Sequence, residues 1–468
     1  MLSVLCTPAA LARRRESYKA GVGRQRGAAT LFTTIIVLVL MTLIAFFANR
    51  SVIFESRTAA NQYRSTKALE AAEAGIEWSL ANLNSLRRIT AACATSTGSG
   101  TRSFRDVYLD PDDNALFDER YLTERVPPAT EPPASTPTCV RLASGTWSCA
   151  CPVGGAAPTV AACDDPAGCP SFRVWFERVS DSPAQPPADA APSPTETAPR
   201  LLDASLVRVF SRGCTGPQRP CVPGAAAEAD GSALVEQVVK LSSGLATVPA
   251  AAITAKGYVD FGSNAITATN TDPGTNGITI NAGLTVGGFI NDSTIETLPG
   301  TPVAASLVGN DTSLASLTDD QMFQTFFGTS KTNFRNAAST TVVSCSGVCN
   351  TTIESAIAGG ARVIWVDGNM TLNANSVFGS EQRPVMVVVD GNIEVRGNIV
   401  FYGVLYCQNS TWDNTGGGNA QVFGAAISEG NFEATGTPDP TYRADILANL
   451  NKTTGQYARV PGGWRDFR

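Results

Sequence analysis

Asp367 and Asp390 hold the same place in a tetrapeptide that occurs twice: Val366-Asp367-Gly368-Asn369 and, 23 residues on, Val389-Asp390-Gly391-Asn392. Two carboxylates stacked at equivalent points of a repeat could bind calcium or divide acid and base work at a glycosidic bond. The same residues also make a tight turn, because Asp and Asn tolerate left-handed backbone and cap turns. The turn is the favoured reading. The acidic run Asp110-Pro111-Asp112-Asp113-Asn114, with Asp118 and Glu119 behind it, has the charge density of a calcium loop. It lacks the Gly and the ligand spacing of an EF-hand and reads as a solvated loop. Gly416-Gly417-Gly418 has no Lys-Ser/Thr sequel, so it does not read as a phosphate cradle. The chain contains 0 histidines, which excludes Ser-His-Asp and Cys-His catalysis, H-E-x-x-H metal chemistry and histidine ligation of haem. The sequence therefore assigns no catalytic, metal or cofactor-binding residue, and the chain is not read as an enzyme.

Of 12 cysteines, eleven follow residue 50: Cys93, Cys139, Cys149, Cys151, Cys163, Cys169, Cys214, Cys221, Cys345, Cys349 and Cys407. In an oxidising compartment such cysteines pair. Short separations make Cys163 with Cys169, Cys214 with Cys221, and Cys345 with Cys349 candidate local bridges. The remaining connectivity stays open. The odd count leaves one over. Cys407, in the apolar run Val404-Leu405-Tyr406-Cys407, reads as a buried free thiol. Zinc is the weaker alternative, since Cys149-Ala150-Cys151 is too tight for a zinc pair and no C-x2-C occurs.

The elements that must carry these residues are mostly strands. Ser171 to Val179, Leu206 to Arg212 and Leu234 to Leu241 alternate apolar and polar residues. Residues 89–248 thus read as an antiparallel, disulfide-containing β head with one buried face, interrupted by the Pro- and Ala-dense loop Ser182 to Arg200. Residues 249–436 differ. Short apolar strands such as Val363 to Val366, Val385 to Val389 and Ile399 to Phe401 are punctuated by Gly-Asn at Gly397-Asn398, Gly418-Asn419 and Gly430-Asn431. Turn residues recurring around β-branched strands predict a β-solenoid, a β-helix-like stack, although the imperfect period also fits a β-sandwich. Leu317, Met322, Phe323, Phe326 and Phe327 predict a helical insertion near 312–336, capped by Thr318 or Asp319. Residues 437–468 read as a C-terminal tail. Trp412, Trp464 and Phe467 read as residues that close a solenoid end or pack that tail.

Residues 28–48, AATLFTTIIVLVLMTLIAFFA, carry no charge. As a helix, 21 residues span about 31 Å, the thickness of a bilayer's hydrocarbon core. Arg13, Arg14, Arg15, Lys19, Arg24 and Arg26 precede the segment, and the first charge behind it is Arg50. Basic residues stay cytoplasmic, so the sequence predicts an N-terminus inside and everything from Asn49 on outside. A cleaved secretory signal fits less well, because its apolar core is about 7–15 residues and a small-residue site follows it. From Asn49 to Leu86 there is no Pro and one Gly. Ala68, Ala72, Ile76, Leu80 and Leu83 recur at helical spacing, with Lys67, Glu70, Glu73 and Glu77 between them. The span therefore continues as an amphipathic helix, together about 59 residues or roughly 88 Å.

This N-terminal region resembles type IV pilins, most closely the minor pilins of the PilX kind. Three features carry the resemblance: a basic leader ending in Gly27, an apolar helix directly behind it, and the stretch Ala68-Leu69-Glu70-Ala71-Ala72-Glu73-Ala74-Gly75. The resemblance implies that residues 1–27 are a prepilin leader, cut after Gly27 by a cytoplasmic-side peptidase so that Ala28 becomes the mature N-terminus. It also implies a pilin helix over 28–88 and partners among minor pilins, the major pilin, the prepilin peptidase and an inner-membrane assembly platform. The implied location is the inner membrane, crossed once with the C-terminal part periplasmic, then a cell-surface pilus. Most pilins carry Glu at the fifth mature position, and this chain has Phe32 there. In the family that absence goes with subunits at the tip, so the implied role is priming assembly and, through the solenoid, surface adhesion. The large pseudopilin of a type II secretion system shares the helix and also lacks the glutamate, and is the alternative. A membrane-anchored polysaccharide-active β-helix enzyme is the second alternative. The expected class is α+β: a long membrane and amphipathic helix, an antiparallel pilin-like head and a C-terminal β-solenoid. A net charge of −6 argues against nucleic acid as a partner.

Overall fold

The computed structural model describes residues 26–96, 98, 101–109, 136–152, 158–165, 168–178, 206–216, 221, 229–262, 267–288, 294–345, 347–412, 419–434 and 437–466. Most of the leader (1–25), the acidic run Asp110 to Asn114 with Asp118 and Glu119, the loop Ser182 to Arg200, Gly416 to Gly418 and Phe467 lie outside the described residues. It is a mixed helix and sheet structure with a long apolar helix at its N-terminal end. The chain divides into two units, Met1–Tyr63 and Arg64–Arg468.

Helix α1 spans Arg26–Asn84, 59 residues without a proline. In the second unit it is amphipathic, with Ala68, Ala71, Ala72, Ile76 and Leu83 buried and Glu73 and Glu77 exposed. The small side chains allow a close approach to a sheet. A Cβ on Gly213 would sit 2.0 Å from the Ala68 carbonyl oxygen, and one on Gly75 would sit 2.1 Å from Ser211 Oγ. The short helix α2 (Phe104–Tyr108) is capped by Ser103, whose hydroxyl accepts from the Asp106 amide. Trp78, Phe104 and Phe172 form an aromatic cluster under α1.

The sheet beneath α1 is antiparallel. Its strands include β1 (Thr138–Arg141), β2 (Trp147–Ala150), β3 (Ser171–Arg178), β4 (Leu206–Thr215) and β5 (Gly231–Ser242). β4 pairs with β5 over ten residues, from Leu206 with Lys240 to Thr215 with Gly231. The alternation read in the sequence is the burial alternation of these strands: Val207, Val209, Val235 and Val239 face the core.

A parallel part follows. The strands β6 (Ile253–Ala255), β7 (Ile280–Ala282), β8 (Leu307–Val308), β9 (Thr340–Ser344), β10 (Val363–Asp367), β11 (Val385–Asp390), β12 (Ile399–Cys407) and β13 (Asn419–Ser428) form one ladder. Their spatial order is β8-β7-β6-β13-β12-β11-β10-β9. The chain thus enters in mid-ladder at β6, builds outward to β8, crosses to the far end at β9 and returns until β13 pairs with β6. The crossing segment carries the short helix Thr312–Ala315 and then α3 (Asp319–Phe327), with Thr318 as cap and Gln321 completing a capping box, and α4 (Lys331–Arg335). A second parallel ladder runs through Val286–Gly287, Val259–Asp260, Phe432–Ala434, Asn409–Trp412, Asn392–Val395 and Met370–Leu372. Asn369, Asn392, Asn409 and Asn431 link successive rungs: the Asn392 and Asn431 amides donate to the side chains of Asn369 and Asn409, each at 2.9 Å. β12 pairs with Ser376–Phe378 before Gly403 and with β11 from Gly403 on. Gly403 sits at φ 132°, and a Cβ there would lie 1.9 Å from the Val385 carbonyl oxygen. Only glycine fits this corner.

These strands are apolar on both faces because both faces are covered. Ile364, Val366, Val387, Val389 and Leu405 point into one core. Val363, Trp365, Met386, Val388, Val404 and Tyr406 point into a second, against Phe323, Phe327 and Phe334 of the crossing segment. Helix α5 (Asn350–Ala358) packs Ile353 on the first core, and helix α6 (Ala444–Thr454) packs Leu447 and Leu450 on the second.

The segment 437–468, expected as a tail, holds the strand Thr437–Thr441, α6 and the strand β14 (Gln456–Arg465). β14 pairs antiparallel with β5, Gln456 opposite Ser242, so the antiparallel order is β14-β5-β4-β3-β1-β2. Trp464 lies on this edge strand, 45% exposed, opposite Gln237. Only Tyr457 of β14 is buried, and Pro461, Gly462 and Gly463 interrupt it, so its sequence carries no strand alternation.

Candidate functional site

The apolar stretch of α1 is the candidate site. Its helix holds because no residue between Thr30 and Ala48 breaks it and its polar side chains bond locally. The Thr33 and Thr34 hydroxyls donate to the Thr30 carbonyl oxygen at 3.0 Å, and the Thr42 hydroxyl donates to that of Val39 at 2.8 Å. A hydroxyl so bonded enters hydrocarbon without an orphaned donor. The large apolar side chains from Leu31 to Phe54 are exposed. Mean hydropathy reaches 2.7, and by length and composition the helix can cross a membrane. Gly27 and Ala28 lie in its first turn, which carries no acidic residue. Phe32 is 69% exposed. The first charge beyond the stretch, Arg50, sits over the Phe54 ring at 5.6 Å.

The candidate cysteines are brought together as pairs: Cys163 with Cys169, Cys214 with Cys221, and Cys345 with Cys349. Two further bridges join Cys93 to Cys151, across 58 residues, and Cys139 to Cys149, opposite each other on β1 and β2. Spacing alone could not select these two from the alternatives. Cys407 is free and buried, and burial pushes its thiol up to about 12, which keeps it protonated and inert.

Asp367 and Asp390 are register partners on β10 and β11. Asp367 is already engaged. Arg335 on α4 donates to both of its oxygens at 2.9 and 2.7 Å, and Trp365 Nε1 donates at 2.9 Å. The Arg335 guanidinium holds the Asp367 carboxyl below the usual carboxylate range. This is a structural clamp between helix and ladder. Among the described residues no three His, Cys, Asp or Glu side chains gather as metal ligands. A second clamp had no signal in the sequence. Glu429, 3% exposed, accepts from Lys331 Nζ and, at 2.8 Å, from the Tyr406 hydroxyl, while burial pushes its carboxyl up.

Residues 26–77 match the family model described as PilX N-terminal. No curated protein matches the chain. Among solved structures, the competence-associated pilin ComZ from Thermus thermophilus is 12% identical, with 86% of this chain and 97% of that one covered and a TM-score of 0.19. At that score the likeness carries no argument. The family match lies on α1 alone, over the exposed apolar stretch and the first part of the buried amphipathic one. In its N-terminal region, this chain is similar to the PilX-type minor pilins of type IV pili.

Proposed function

We propose that this chain is a minor pilin that primes type IV pilus assembly and occupies the fibre tip. One observation carries the reading: the PilX N-terminal match falls on a helix whose large apolar side chains from Leu31 to Phe54 are exposed among the described residues. Such a surface is covered first by lipid. It leaves lipid only when neighbouring pilin helices bury it again, at about 25 cal/mol per Å². In this reading the peptidase cuts after Gly27 and Ala28 becomes the mature N-terminus. The protein then stands in the inner membrane, N-terminus cytoplasmic, until the assembly platform passes it to the other minor pilins and the major pilin. Phe32 supports the tip position. A phenyl ring cannot neutralise the ammonium of a subunit stacked above it, and an unpaired charge among apolar helices is costly. The antiparallel sheet under α1 serves as the pilin-like head. The parallel ladders, taken as a β-solenoid over 249–436, serve as a module for surface adhesion. No chemical step is asked of the subunit.

Gold labelling of sheared pili tests the assignment. A few copies per fibre, at one end, are expected. Label along the whole shaft at the abundance of the major subunit would overturn the tip position.

A further inference from the structure

Asparagine followed two residues on by Ser or Thr, with no Pro between, is the acceptor triplet for N-linked sugar. The chain carries it at Asn49, Asn291, Asn310, Asn350, Asn369, Asn409 and Asn451. The fold closes most of these. Asn350 is 3% exposed, and its amide nitrogen donates to the Ala374 carbonyl oxygen and the Ser376 hydroxyl. Asn409 lies within the asparagine ladder: its nitrogen donates to Asn392, and its side-chain oxygen accepts from the Asn431 amide. The Asn369 side-chain oxygen accepts from the Asn392 amide, and Met370, the middle residue of that triplet, is 1% exposed. On α6 the Asn451 side-chain oxygen accepts from the Leu245 amide at 2.9 Å. Asn49 directly follows the apolar stretch of α1, and Asn291 lies outside the described residues.

Asn310 differs. It and Thr312 are exposed, and neither side chain makes a hydrogen bond among the described residues. Backbone and neighbour hold the triplet in a fixed turn. Asn310 sits in the left-handed region at φ 55°, which asparagine tolerates, and its backbone amide donates to the Leu284 carbonyl oxygen at 2.7 Å. Asp311 caps the short helix Thr312–Ala315, accepting from the Ser313 and Leu314 amides at 3.0 and 3.3 Å. The middle residue is thus engaged, while the amide and the hydroxyl that a transferring enzyme reads are free. The turn directly follows β8, the terminal strand of its ladder, whose outer edge pairs with no strand among the described residues. A bulky group at this turn displaces none of the ladder's hydrogen bonds.

We propose that Asn310 is a glycosylation site that accepts a sugar activated as a glycosyl diphosphate. Asn310 Nδ2 attacks the anomeric carbon of the sugar. The C–N bond forms as the bond from that carbon to the diphosphate oxygen breaks, the diphosphate leaves, and one Nδ2 proton passes to a base of the transferring enzyme. The assignment does not depend on the pilus reading.

Peptide mapping by mass spectrometry, on the full chain recovered from its native cells, tests it. The peptide that contains Asn310 should be heavier by one or more sugar residues, and electron-transfer fragmentation should place them on Asn310. Thr312→Ser should keep the sugar and Thr312→Ala should lose it. The Thr312 hydroxyl makes no bond in the fold, so both variants should unfold at the wild-type Tm. Unmodified Asn310 in the wild-type chain overturns the proposal, as does sugar that persists in Thr312→Ala. The wild-type arm decides alone if a variant fails to fold.

Discussion

At Asp367 the sequence showed the residue and its repeat, and the turn reading held it as structural. Its partner was not legible. Arg335 lies 32 residues away on a helix, and nothing in the tetrapeptide points to it. The pair has a pH signature. The folded carboxyl titrates below the unfolded value of about 3.9, so its contribution is present above that value and is lost as pH falls through the folded one. Denaturation midpoints of wild type should therefore fall more steeply than those of Asp367→Asn between about pH 5 and about pH 3; parallel profiles would reject the clamp. Gly403 makes a second residue-scale prediction. A methyl there meets the Val385 carbonyl oxygen at 1.9 Å in a backbone region reserved for glycine. Gly403→Ala should cost about 2 kcal/mol or more in urea unfolding. Phe32 bears on assembly rather than stability. If its missing carboxylate confines the subunit to the tip, Phe32→Glu should appear within the shaft on gold labelling.

Among the elements, those with strong periodicity were legible: the apolar span, the amphipathic continuation of α1, the alternating β3, β4 and β5, and α3 with its Thr318 cap. β14 was not, because one buried side chain and a Pro-Gly-Gly stretch leave no pattern to read. Tertiary bonds hold it instead. Asn84, the last residue of α1, exchanges two hydrogen bonds with the Tyr457 backbone at 2.7 and 2.9 Å. Arg105, buried in α2, donates to the Leu83 carbonyl oxygen of α1 and to the Thr453 and Gly455 oxygens at the end of α6, with Tyr457 stacked 5.0 Å from its guanidinium. A cation that satisfies two helix C-termini is favoured by the dipoles of both. Burial lowers its pKa, and an arginine guanidinium keeps its proton in proteins. Arg105→Ala should destabilise the second unit by about 3 kcal/mol, because the carbonyls it leaves behind are buried. Peptide mapping under non-reducing conditions should recover Cys139 linked to Cys149 and Cys93 linked to Cys151, the two bridges that spacing could not choose. Cys93 linked elsewhere would contradict the arrangement.

For the whole molecule, the chain order conceals the topology. Ser242 and Gln456 face each other on β5 and β14, so residues 243–455 form an insertion between two paired antiparallel strands. Inside the insertion, β6 is met by β13 only when the ladder returns, with Ala426 opposite Ile253. Repeats in the sequence could announce parallel strands but not this order, since a strand does not encode which distant strand it will meet. Pairing across so long a separation is slow to form. A chain truncated after Gly455 lacks β14 and leaves β5 as an open edge. Limited proteolysis should cut its antiparallel part readily while the wild type resists, and equal resistance would contradict the closing role of β14. The central claim remains the nature of α1. Mass spectrometry of the protein recovered from its native envelope tests it most directly. The account predicts a mature chain that begins at Ala28, with the apolar helix retained. A mature chain that begins near Asn49, or one that still carries Arg26, would contradict it.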